Sequence, residues 1–143
     1  LGQRNIAETG EQMSAEAFAT SNVDHVFFMA YNGAAECGSN IGWGATVTAS
    51  DIADISASLS KRPGWDMAPA VKNKDVMIYD QVYFNTFENW MILQLHAEQM
   101  FPEIYQSLDP VKSLESFYKE FLPWVELKGV WYFTLDGEIG ATA

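Results

Sequence analysis

Cysteine is almost missing from this chain: Cys37 stands alone among 143 residues. One thiol excludes an internal disulfide and a cysteine zinc cluster. No histidine lies near it in sequence, so nothing supplies the base that a thiol nucleophile needs. Histidine is scarce too, with only His25 and His96. Neither H-x-x-x-H nor H-E-x-x-H spacing occurs, which leaves no histidine metal motif. Basic residues number 8 against 19 acidic ones, a net charge of -11. Nucleic acid is therefore a poor partner, because phosphate binding needs a basic footprint. No apolar run approaches the length of a membrane span, and no signal-peptide pattern is present. G-x-S-x-G is absent, and the glycines match neither G-x-G-x-x-G before a helix nor the P-loop spacing. The acidic residues single out no acid/base dyad, and most read as solvated surface.

What the chain does have is a core. Hydrophobic residues make up 48% and aromatic residues 14%, which argues against disorder. The length suits one domain. Ser14 is a candidate N-cap with Glu16 in the first turn, predicting a short helix to about Ser21 with Phe18 inward. His25 to Tyr31 is continuously apolar, as expected of a strand covered on both faces. Residues 32–48 carry Gly33, Gly38, Gly42 and Gly44 and read as a long loop of the functional kind. Ser50 then caps a predicted helix with Ile52, Ile55 and Leu59 on one face, ending at Lys61-Arg62.

The stretch from Arg62 to Asp80 organises the rest. Pro63 and Gly64 punctuate the helix, residues 72–75 form a polar turn, and Val76 to Tyr79 form a buried strand. That strand ends at Asp80 and releases a loop holding Tyr83 and Phe84. Asn85 with Glu88 is a candidate capping box for a helix stopped by Pro102. Asp109-Pro110 opens another helix, with Leu114, Phe117, Tyr118 and Phe121 as its stripe. Residues 129–134 read as a last strand or extended segment, and 136–143 as a tail.

Three pieces of the chain, in order, resemble one family. "RPGW…PAVKNKDVMIYD" looks like the "W…AVKNG-V-Y-D" segment in the C-terminal lobe of iron-complex substrate-binding proteins, the extracytoplasmic receptors of ABC importers for ferric siderophores, haem and cobalamin. "LGQRNIAE" at 1–8 with "MSAEAFATSNVDHVFF" at 13–28 resembles its "GG-NIA … vS-E-l---nPD-ii". "FPEIYQSLDPVKSLESFYKEF" at 101–121 resembles its "hPE-F-dldp---y-eF" ending. The resemblance covers most of residues 1–135. It implies an α/β, three-layer, Rossmann-like lobe with a small, mainly parallel sheet, one half of a two-lobe periplasmic-binding-protein fold. The family's signal peptide, N-terminal lobe and connecting helix would lie outside this chain. So would a strand and helix before the first motif, which leaves an exposed sheet edge and an opening for self-association.

The implied function is capture of an iron complex and delivery to an ABC permease outside the cytoplasm, without catalysis and with no cofactor beyond the ligand. A small-molecule or cofactor-binding enzyme on the same fold is the alternative, because fold alone does not give function. A purely structural interaction domain is a third reading. In open α/β sheets, ligands gather outside the carboxyl ends of strands. That rule picks out Tyr31, Asn32, Trp43, Tyr83 and Phe84 as ligand-binding candidates. Tyr31 and Tyr83 equally suit capping the core, which is the plainer role for Phe84; Asn32 could simply hold its own turn. In the resembled family a glutamate on each lobe meets permease arginines. The match of "SAE" at 14–16 puts Glu16 in that role, beside its simpler use at a helix start.

Overall fold

A computed structural model describes residues 13–30 and 41–142. Its first elements are α1 (Ala15–Thr20), β1 (Val26–Ala30), β2 (Gly42–Trp43) and α2 (Ala49–Ser60). A 3-10 turn (Trp65–Met67), α3 (Pro69–Lys72), β3 (Val76–Asp80) and α4 (Gln81–Phe84) follow. The chain finishes with α5 (Asn89–Met100), α6 (Pro102–Tyr105), α7 (Pro110–Phe121), β4 (Gly129–Thr134) and β5 (Ile139–Thr142).

The two apolar runs form the expected parallel pair. β1 and β3 lie in register from Val26 opposite Val76 to Ala30 opposite Asp80. Both sheet faces are covered, which explains why the runs do not alternate. Phe27 stacks on His96 of α5 with ring centroids 3.9 Å apart, while its neighbour Phe28 meets Trp65 of the 3-10 turn edge-on at 6.3 Å. Arg62 lies over both Phe28 and Trp65, a cation–π contact that closes this side.

The sheet as a whole is mixed. β3 pairs antiparallel with β4, and β4 pairs antiparallel with both β2 and β5. The expected parallel character thus belongs to β1 and β3, because the chain returns through α7 and enters β4 in the opposite direction. A strand has only two edges. β5 runs along Gly129 to Phe133 on one, so β2 and β3 share the other end to end. β2 therefore prolongs the line of β3 just past its carboxyl end. Residues 136–143, expected as a tail, instead supply β5. Gly137 turns the chain with φ 109°, and Thr142 accepts a hydrogen bond from the Trp131 indole at 3.2 Å. Among the described residues β1 is an edge strand, as expected.

Several boundaries differ from the sequence reading. Thr48, not Ser50, caps α2, in a reciprocal capping box with Asp51: Thr48 N–H donates at 2.7 Å and Asp51 N–H donates back at 3.2 Å. Ser14 and Asp109 cap α1 and α7 as expected. Tyr83 and Phe84 lie in the short helix α4, capped by the Asp80 carboxylate, and not in a loop. Glu88 stands at the start of α5 but makes no cap. Among the described residues, no helix is long and apolar enough to cross a membrane.

Two expected outcomes follow from this packing. A Cβ at Gly129 would collide with the Gly42 carbonyl oxygen across the β2–β4 pair. Gly129→Ala should cost roughly 1–3 kcal/mol in a urea titration, as overpacking does, and an unchanged midpoint would refute the close approach. His96 is the other. Burial holds its imidazole down to about 4, against 6.5 when exposed, so the folded state keeps the ring neutral with Nε2 3.1 Å from the Tyr79 hydroxyl. A depressed histidine contributes full stability above about pH 6.5 and loses it as pH falls toward 4. With solvent screening allowed for, the loss is on the order of 1–2 kcal/mol. His96→Gln keeps a partner for Tyr79 without titrating. Comparing urea midpoints at pH 7 and 4.5 should show a smaller drop in the variant than in the parent chain.

Candidate functional site

The carboxyl end of β3 is built from short pieces that the topology brings together. Asp80 ends the strand and turns its side chain onto the N–H of Val82 at 2.9 Å, starting α4. α4 then carries Tyr83 inward and leaves Phe84 44% exposed. β2 brings Gly42 against this end. A Cβ on Gly42 would sit 3.3 Å from Asp80 Oδ2 and 3.4 Å from the Tyr83 hydroxyl, and its φ of 107° suits glycine in any case. Trp43, next in the chain, is 47% exposed.

Aromatic rings form the floor. Trp131 of β4 is fully buried, and Trp43 and Tyr83 both meet it edge-on, at 5.1 and 5.3 Å between centroids. Such T-shaped contacts place a ring's positive edge against a negative face and fix orientation as well as burying area. Trp43 also packs edge-on against Tyr118 of α7 at 5.7 Å, and Phe87 lies 6.2 Å from the same ring. The result is a partly exposed aromatic cluster, Trp43–Tyr118–Phe87.

Beneath it lies a polar group. Glu88 is only 6% exposed, and its Oε1 accepts the Tyr118 hydroxyl at 2.7 Å. A buried carboxylate needs such a donor, since an unpaired one is costly. Burial pushes the Tyr83 phenol up first; the charges of Asp80 and Glu88 add to this, and the Trp43 backbone N–H opposes it. Tyr118 moves up for the same leading reason, then through its bond to Glu88. Both tyrosines therefore stay phenols, and Tyr118 donates its hydroxyl hydrogen to Glu88.

The five sequence candidates separate clearly. Trp43 and Tyr83 come together on Trp131, and Phe84, which follows Tyr83 in sequence, is exposed. Tyr83 is 3% exposed, so its ring completes the core, and only its hydroxyl looks toward Gly42. Removing that ring would cost about 3–5 kcal/mol of stability, so alanine at 83 reports on folding. Tyr31 and Asn32 lie outside the described residues, as does Cys37. Glu16 is exposed on α1, which packs against the 3-10 turn. Sequence reasoning missed Gly42, Asp80, Glu88, Phe87 and Tyr118 as parts of this end. Asp80 at a strand end was the one signal available; the others read as turn, cap or helix stripe.

A second concavity, of about 320 Å³, sits at the opposite end, where β3 begins and β4 finishes. Lys74, Asp75, Glu98, Gln99, Asp136 and Glu138 are among its lining residues. Glu98 is pushed up there by burial and then by the charges of Glu138 and Asp109. Among the described residues, no group of three or more His, Cys, Asp or Glu could hold a metal ion.

No family model matches the chain, and no curated protein does either. The crystal structure of the TroA-like periplasmic binding protein FepB from Veillonella parvula matches its structure, with a TM-score of 0.72 and 24% identity. That alignment covers 87% of this chain and 35% of the other, so the chain spans about a third of that protein. The likeness establishes the fold: a mixed α/β lobe of the kind found in TroA-like periplasmic binding proteins.

Proposed function

We propose that this chain is the C-terminal lobe of an extracytoplasmic solute-binding protein that captures an iron complex and hands it to an ABC permease. The observation that carries the reading is the placement of Trp43. The sheet sets it just past the carboxyl end of β3, half-exposed, on a fixed aromatic floor. Ligands of open α/β sheets bind at that end. The three sequence motifs and the TroA-like lobe support the same reading independently. The ligand-binding candidates are Trp43, Phe84 and the Tyr83 hydroxyl, together with Tyr31 and Asn32, which lie outside the described residues. The chemistry this reading asks of the site is stacking and hydrogen bonding.

A single lobe offers one wall of a cleft, so the chain alone should bind an iron complex weakly, in the range of about a micromolar to a millimolar. Titration calorimetry with a ferric siderophore, haem or cobalamin should give one saturating event. Trp43→Ala should weaken it by roughly 1–3 kcal/mol, and because that ring also packs on Trp131 and Tyr118 the affinity is compared under conditions where the variant's urea titration shows it folded. Full affinity in that variant would remove the aromatic end from the site, and turnover of any ligand would favour an enzyme. For permease docking, Glu16→Arg in a receptor containing this lobe should leave affinity intact and reduce transport. Unaltered transport would exclude Glu16 from the contact.

A further inference from the structure

Among the described residues the buried polar side chains are Glu88, Thr134 and Thr142, each at most 7% exposed. Thr134 serves the turn between β4 and β5, where its hydroxyl oxygen accepts from Glu138 N–H at 3.0 Å. The other two each hold one of the two rings that Trp43 packs against. Thr142 Oγ1 accepts from the Trp131 indole at 3.2 Å, and Glu88 Oε1 accepts from the Tyr118 hydroxyl at 2.7 Å. Trp43 stands in the corner between those rings, inclined at 85° to Trp131 and 63° to Tyr118, and is half-exposed. Its own strand is two residues long and has little hold on the angle of a side chain. Apolar packing alone is not directional, whereas a hydrogen bond fixes both a distance and an angle. The Glu88 bond also crosses from the start of α5 to α7, so it sets how α7 is turned against α5.

We infer that Glu88 and Thr142 are positioning residues: they pin the Tyr118 and Trp131 rings, and so set the plane that the Trp43 indole presents to a ligand. The inference rests on the solute-binding reading above and adds what prepares its stacking surface. A buried carboxylate is a costly way to fill space, because desolvation opposes it. An apolar pair of the same shape is often no less stable than a buried hydrogen-bonded one. What the phenol–carboxylate bond supplies, and an apolar pair does not, is a single ring position. A stacking ring already held in its bound orientation loses less freedom when the ligand arrives, and that difference appears as affinity. Both residues act through the ring they hold and not by touching the ligand.

Positioning and mere support predict different results. In the 143-residue chain, the double variant Glu88→Met/Tyr118→Phe replaces the buried bond with an apolar pair of similar shape and keeps the ring that Trp43 packs on. Its urea midpoint should stay near that of the parent chain, while the Trp43 indole cross-peak in a nitrogen–proton spectrum should move or broaden. Its affinity for a gallium trihydroxamate, measured by calorimetry, should fall by about threefold to tenfold. Glu88→Gln leaves an oxygen for the Tyr118 hydroxyl, and should keep the parent's cross-peak and an affinity within about twofold. Thr142→Val removes the other acceptor with little change of shape and should move the same cross-peak. Where the double variant fails to fold, Tyr118→Phe alone removes one hydroxyl and is read in the same way. An unchanged cross-peak, or an unchanged affinity, in the folded variant would overturn the role of Glu88. A cross-peak unmoved by Thr142→Val would overturn that of Thr142. Absence of saturable binding by the parent chain would overturn the solute-binding reading itself, and the cross-peak would still decide whether the two residues orient Trp43.

Discussion

The Trp131 indole holds the Trp43 end of this lobe together. It is buried on β4, and three separate elements rest on it. Its N–H donates to Thr142, which ties β5 to one edge of β4. Its ring receives Trp43 from β2 and Tyr83 from α4 edge-on. β2 is only two residues long, and a pair of that length has little stability of its own. What fixes it is side-chain packing on Trp131 together with the glycine-to-glycine approach of Gly42 and Gly129. Loss of the indole would remove a large core volume, worth about 3–5 kcal/mol, and would free Trp43 as well.

The same constraint explains how a mixed sheet can serve an end usually built by parallel strands. β1 and β3 run the same way and finish at Ala30 and Asp80. β4 arrives from the opposite direction, so its amino end lies where β3 finishes. The vacant edge of β4 beyond β3 is then filled by β2. An antiparallel return thus extends the carboxyl end of β3, and places an exposed tryptophan where an open α/β sheet receives ligands. Polar satisfaction follows the geometry: Asp80 starts α4, and Glu88 gives up its local cap to reach Tyr118.

Much of this was legible in the sequence, for stated reasons. The runs at 26–30 and 76–80 are apolar without alternation because α5 covers one face and the 3-10 turn the other. Asp109-Pro110 and Ser14 announce their helices through local hydrogen bonds. Features that depend on distant partners were hidden. Glu88 looked like a capping residue, because nothing local reveals a tyrosine thirty positions later. β5 reads as a tail, since Ile139-Gly-Ala-Thr carries few strand formers; the Gly140 position requires its small size, because a Cβ there would strike the Tyr132 ring. Tyr83 looked like a loop aromatic, and only the Asp80 cap shows that it turns inward.

The central claim is that ligands meet this lobe at the Trp43 end and not at the acidic concavity where β3 begins. Amide and indole chemical-shift mapping in two-dimensional nitrogen–proton spectra compares the two ends in a single titration with a diamagnetic gallium trihydroxamate. The account predicts shifts concentrated at the Trp43 indole, Asp80, Phe84 and Phe87. Shifts concentrated at Lys74, Asp75, Gln99 and Glu138, with the Trp43 indole unmoved, would contradict it.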